Sequence, residues 1–442
     1  MKVDVLIAGG GDAGLAVFRT VRSLKPEWEI SIVKPEEGFC FKCPLPFYIA
    51  GEAPAEGVFH RDEEMFKGAN LVYGRLVGGS AEKHEAKLED GTVIKYGKLV
   101  LATGSTPLIP EIPGTGLANV FTLRSFEEAE GLVKALEEAE VGVIVGGGYI
   151  ATELCEALKK RNVKPVLLVR SRILRASFDP DFSTIIGQTL RENGVEIRQG
   201  KQVSRLLGRG RVEAVELEGG ERIKADLVIF ATGVKPVLEP AKGMGAALGS
   251  VGVQVDGRME TSLKDVYAAG EVAEVHHLVS GQPVNAQTAS SAMLQGFVAG
   301  FSLSGFAATY PGELHCLLSK VFKLHLGRAG LTLEEALKLG FKAVARDVEY
   351  RDHYTSLPGG NLFKAKLVFD EVSGKLLGCQ FLGEANVADK VEAAALALRF
   401  GATIRDLSFY TSASFPTLTF NPRFNQFREP AMQLLLEKLR KP

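Results

Sequence analysis

Two glycine triplets, each directly behind an apolar run, constrain this sequence more than any other feature. Val3–Ala8 runs into Gly9, Gly10 and Gly11 and then a helical pattern; Val141–Val145 runs into Gly146, Gly147 and Gly148 and then another. Each helix leads to a further apolar run, Ile30–Val33 and Pro165–Val169. Strand, glycine turn, helix and strand within about 30 residues make the βαβ unit of a nucleotide-binding sheet. Two such units predict two nucleotide sites.

The first turn reads Gly9-x-Gly11-x-x-Gly14, with Asp12 and Ala13 inside it. In this pattern the first glycine makes the turn, the second admits a pyrophosphate and the third lets helix and strand pack, with the helix N-terminus facing the anion. The second reads Gly146-x-Gly148-x-x-Ala151. After its second strand come Arg170, Ser171, Arg172 and Arg175. An acid there would bond a ribose 2′-hydroxyl, whereas arginine suits a 2′-phosphate, so the sequence favours NADPH over NADH. In the first unit Lys34 stands at the matching place and is read as a nucleotide contact, with Glu36 or Glu37 near enough for a ribose. Each half closes on a run ending in Ala-Thr-Gly: Ala102-Thr103-Gly104 and Ala231-Thr232-Gly233. Tyr267-Ala268-Ala269-Gly270 follows later, with Glu271 next.

Composition excludes several alternatives. Lys+Arg 52 against Asp+Glu 53 leaves a net charge of -1, which argues against a nucleic-acid coat or a polybasic membrane anchor. No stretch of about 18 uncharged apolar residues exists to span a bilayer. The opening Met1-Lys2-Val3-Asp4 lacks a signal-peptide pattern, and five cysteines in a chain this long do not form a disulfide scaffold; the expected location is the cytoplasm.

Cys40 and Cys43 form a C-x-x-C in Phe39-Cys40-Phe41-Lys42-Cys43-Pro44. The spacing suits a redox pair or half a metal site. Zinc would need another pair, and Cys155, Cys316 and Cys379 are isolated, so no metal is assigned. Lys42 should favour the charged form of Cys43, making it the better thiolate.

Two dinucleotide turns, paired Ala-Thr-Gly strands, Thr261–Gly270 and a cysteine in C-P-L-P-F-Y together resemble the flavin disulfide reductase superfamily. The single-cysteine branch is nearest: coenzyme A-disulfide reductases, NAD(P)H sulfur and persulfide reductases, and NADH oxidases or peroxidases. The resemblance implies an α/β protein with two Rossmann-like three-layer domains, one for FAD and one for NAD(P), plus a C-terminal α+β dimerisation domain. It places FAD on residues 1–115 and 241–312, NAD(P)H on 116–240 and the homodimer interface on 313–442.

It further implies FAD contacts from Gly9, Gly11, Asp12, Ala13, Gly14, Lys34, Cys43, Pro44, Ala102, Thr103, Gly104, Gly270 and Glu271, the last one methylene longer than the usual aspartate. The NADH or NADPH site takes Gly146, Gly148, Tyr149, Ile150, Glu153, Arg170, Arg175 and Gly233, with Tyr149 shielding the flavin. Cys43 maps onto the redox cysteine, and Cys40 either resolves it or stands by. Coenzyme A-using relatives place basic residues at Arg19 and Arg22, and partner-subunit tyrosines at Tyr354 and Tyr410. Ser414-Phe415-Pro416-Thr417 replaces the H-P-T of dithiol reductases, so their acid–base histidine is absent. The implied substrate is a small disulfide, persulfide or polysulfide. The alternatives are O₂ or peroxide through a cysteine sulfenate, or electron transfer to a protein acceptor.

Overall fold

The computed structural model describes residues 1–354, 356–417, 419 and 421–440. Strand β1 (Lys2–Ala8) runs into helix α1 (Asp12–Leu24), and β2 (Ile30–Lys34) returns parallel to β1. The cysteine pair follows, ahead of the short helix α2 (Leu45–Ala50). Strand β3 (Val93–Leu101) lies on the other side of β1, also parallel. Nearly every side chain of β1 and β2 is buried, as expected for parallel strands covered on both faces.

The second unit repeats the plan. Strand β4 (Val141–Val145), helix α3 (Tyr149–Lys160) and β5 (Lys164–Val169) form a βαβ, and β6 (Leu227–Phe230) pairs parallel with β4. The chain then rejoins the first sheet: β7 (Val266–Ala268) pairs parallel with β3. Helix α4 (Ala289–Leu303) crosses α1, with Gly296 against the Ala13 carbonyl and Gly300 against Thr20. A side chain at either position would collide with α1, so the G-x-x-x-G spacing in α4 is what brings the two helices together.

The C-terminal part is a five-stranded antiparallel sheet that opens with β8 (Leu317–Val321) and β9 (Leu324–Gly330). After β9 comes α5 (Leu333–Lys338), opened by a Thr332–Glu335 capping box. The last three strands are β10 (Ala343–Arg351), β11 (Leu362–Asp370) and β12 (Leu376–Gly383), with β11 and β12 forming a hairpin; the sheet order is β8, β9, β12, β11, β10. Helix α6 (Ala388–Arg399) packs on this sheet. Among the described residues no helix is long and apolar enough to cross a membrane.

Candidate functional site

The two glycine turns are built alike. Gly9 has φ +120° and Gly146 φ +138°, both in the region that favours glycine. A Cβ on Gly9 would run into the Ala102 carbonyl, and one on Gly146 into the Ala231 carbonyl. The Ala-Thr-Gly segments are thus the back walls of the turns. Thr103 Oγ1 donates to the Val237 carbonyl at 2.9 Å, and Val237 N–H donates to Gly104 O at 2.9 Å, tying Ala102–Gly104 to the segment after Gly233.

The middle glycines face outward. A Cβ on Gly11 or Gly148 would meet nothing within 4 Å, and neither α1 nor α3 has a side-chain cap on its first turn. Open space in front of uncapped helix N–H groups is what a pyrophosphate needs, so the residues present fit FAD at the first turn and NAD(P)H at the second.

Cys43 stands in the turn just before α2, and charges on α1 and α3 act on its thiol. Partial burial raises its thiol above the ordinary value, and the carboxylates of Asp12, at the start of α1, and Glu153, in the second turn of α3, raise it further. Its own backbone N–H and Lys42 lower it by less. Lys42 thus acts on Cys43 in the expected direction, but partial burial and the two acids outweigh it. Cys40 is pushed up to about 11, first by burial. Both cysteines are free thiols. Cys40 pairs with Phe59 in a short two-stranded ladder, while Cys43 sits in the exposed turn before α2. That helix docks on α3: Arg161 Nε donates to the Ile49 carbonyl at 2.7 Å, and Lys160 pairs with Glu52 at 2.6 Å.

Two expected cofactor contacts are already engaged within the protein. Lys34 is buried, with Nζ 2.6 Å from Asp62 and also donating to the Gly38 carbonyl; Asp62 accepts Gly38 N–H and the Tyr73 hydroxyl as well. The Lys34 stem lies against Gly10, so the residue backs the first turn. Glu271 pairs with Arg124 at 2.7 Å and accepts the Ser105 hydroxyl at 2.7 Å, while its backbone carbonyl accepts Asn285. Burial acts to raise the Glu271 carboxyl, but Arg124 and Ser105 outweigh it and hold the group below its usual value. Just before it, Gly270 N–H donates to the buried Gln295. Pro44 caps α2.

At the second turn Ile150 is exposed, while the Tyr149 hydroxyl is buried beside Ser177 without a well-formed hydrogen bond. Glu153 accepts the Ser319 hydroxyl of β8 at 2.6 Å, and burial raises its carboxyl. Arg170 and Arg175 are exposed and have no ion-pair partner among the described residues. Arg19 is exposed on α1, whereas Arg22 is fixed on the carbonyls of Pro26, Trp28 and Gly68. Tyr354 meets Ser414 at 3.2 Å, and the Tyr410 hydroxyl donates to Asn425 at 2.8 Å, so the recorded partners of both lie in the C-terminal part.

Sequence reasoning missed Arg124, Ser105, Asp62 and Ser319. Each belongs to a segment distant in sequence from the motif it serves, and no local pattern marks it.

The family profile described as pyridine nucleotide-disulphide oxidoreductase matches residues 3–296, and its dimerisation domain matches 318–423. A relative from Pyrococcus abyssi, the NAD(P)H sulfur oxidoreductase (CoA-dependent), is 34% identical, with 98% of each chain covered. A NAD-dependent persulfide reductase from A. fulgidus superposes with a TM-score of 0.92 at 27% identity, over 99% of this chain and 83% of that one. An engineered water-forming NADPH oxidase bound to NADPH, made from a Lactobacillus brevis NADH oxidase, gives 0.93 at 26% identity over 99% of both. Its engineered changes include a new arginine followed directly by a new serine.

Proposed function

Because the chain belongs to the pyridine nucleotide-disulphide oxidoreductase family, we propose that it is an FAD-dependent NAD(P)H oxidoreductase that reduces a small disulfide, persulfide or polysulfide through Cys43. One observation carries this reading: Cys43 stands in the exposed turn just ahead of α2, the helix that Arg161 and Lys160 dock on α3, and its thiol feels the charge of Asp12 at the start of α1 and of Glu153 in α3. A nucleophile there would be reachable from both glycine turns.

The residues divide the task. The turn Gly9–Gly14 would hold the FAD diphosphate, with Lys34 and Asp62 bracing it from behind. Gly146, Gly148 and α3 would hold NAD(P)H, and Tyr149, Ile150 and Glu153 would border the nicotinamide. When bound, these two groups supply hydride transfer and the electron pair that returns a disulfide-level sulfur to thiolate. As thiolate, Cys43 attacks the substrate sulfur–sulfur bond, forms a mixed disulfide and releases the second sulfur as thiolate. Arg170-Ser171 repeats the arginine–serine order of the engineered NADPH oxidase, which supports NADPH as coenzyme. The CoA-dependent relative supports coenzyme A chemistry, with Arg19 as the open basic residue. The element layout supports FAD on 1–115 and 241–312, NAD(P)H on 116–240 and a homodimer through 313–442.

The test is Cys43→Ser. NAD(P)H should still bleach the flavin, while disulfide or persulfide turnover falls at least about a hundredfold. Intact mass of the purified wild type should show a small-thiol adduct on Cys43. The oxidase relative supports a second reading, in which O₂ takes the electrons; an oxygen electrode on the wild type and the same variant separates the two. Full turnover in the variant would favour a protein acceptor.

A further inference from the structure

The loop that follows β5 is fastened to the C-terminal part along most of its length. Arg172 Nη2 donates to the carboxylate of Glu334 on α5, and also to the carbonyls of Arg175 and Phe178 in its own loop. The Ala176 carbonyl accepts the buried Arg328 of β9 at 2.9 Å. Asp179 caps α5, accepting the N–H groups of Leu333 and Glu334 at 3.2 and 3.0 Å, and exchanges two hydrogen bonds with Gln380 of β12. On the other side, Leu174 takes a positive φ of 49°, uncommon for a branched residue, and its buried N–H donates to Gly147 O at 2.6 Å. The loop is thus pinned to the second glycine turn at Leu174 and to the C-terminal part at Arg172, Ala176 and Asp179.

Arg170 and Arg175 are the two basic side chains of this loop left pointing to solvent. Arg172 points the other way; its Nε is buried and unpartnered. Lys338 and Arg172 together hold the Glu334 carboxyl below its usual value, so it is charged at neutral pH.

We propose that Glu334 is a determinant of coenzyme selectivity: through Arg172 it fixes the loop in the shape that presents Arg170 and Arg175 to a 2′-phosphate. It is a positioning residue that acts on the coenzyme only through Arg172. The proposal rests on the assignment of NAD(P)H to the second glycine turn. A loop already held in place spares NADPH the entropy of ordering the backbone that carries the two arginines, a saving that NADH, with no 2′-phosphate, does not draw on.

The test measures dissociation constants of NADPH, NADH, 2′,5′-ADP and 5′-AMP on the purified holoprotein by calorimetry. The variants are E334A, E334D and R172Q, with thermal unfolding as a check on folding. E334A and R172Q should weaken NADPH and 2′,5′-ADP about tenfold and leave NADH and 5′-AMP within about twofold. E334D, which keeps the charge, should recover most of the difference. Equal weakening of all four ligands, or unchanged NADPH binding in both variants, overturns the proposal. Wild-type protein that binds neither coenzyme overturns the site assignment and the proposal together.

Discussion

The carbonyl of Ala102 fills the space that a side chain on Gly9 would need, and Ala231 stands in the same relation to Gly146. Each glycine turn is closed by the strand end lying behind it, so the first glycine of each fingerprint is fixed by neighbouring backbone. Gly9→Ala should yield protein without bound flavin, read as loss of visible absorbance in the purified material. Gly146→Ala should keep its flavin and fail to be reduced by NADPH. Flavin retained in Gly9→Ala would show that the turn can move away from Ala102.

The thiol of Cys43 is raised by burial, Asp12 and Glu153, so it is mostly protonated where an ordinary thiol begins to ionise. The sign follows: its alkylation rate and the attack on a disulfide should both climb as pH rises through and beyond about 8.5. Lys42→Met removes the one cation that lowers the group and should shift the climb to higher pH. Rates of iodoacetamide labelling against pH measure it; an unchanged profile would mean that Lys42 has no influence on the thiol.

Lys34 and Asp62 form a buried ion pair whose carboxylate also holds Gly38 and Tyr73. Removing one partner strands a buried charge. Asp62→Ala should cost about 3–5 kcal/mol of stability, and Lys34→Met with Asp62→Leu distinctly less. Denaturant titration of the flavin-loaded protein reads both; equal costs would refute the pairing as the source.

Phe400 and Phe409 are 81% and 65% exposed, unusual for phenylalanine, within the segment that matches the dimerisation domain. Phe409→Asp should shift the protein from dimer to monomer in sedimentation velocity, with NADPH binding unchanged. A dimer that survives the change would place the interface elsewhere.

Much of the plan is legible locally. The glycine turns, the Ala-Thr-Gly ends, the capped helix at Thr332 and the β11–β12 hairpin all announce themselves within a few residues, because turn chemistry and periodicity are short-range. What escapes is the pairing of charges. Glu271 looks free for a cofactor until Arg124, 147 positions away, takes its carboxylate. Lys34 looks like a nucleotide contact until Asp62 folds over it. Neither pairing leaves a mark along the chain, since both depend on where separate elements are brought together.

Ser319 and Lys320 of β8 grip Glu153 and Glu156 on α3, and α3 in turn carries the helix behind Cys43. Coenzyme helix, thiol and C-terminal sheet are thus riveted into one block. A jaw-like swing of the inserted nucleotide unit would have to tear these joints apart.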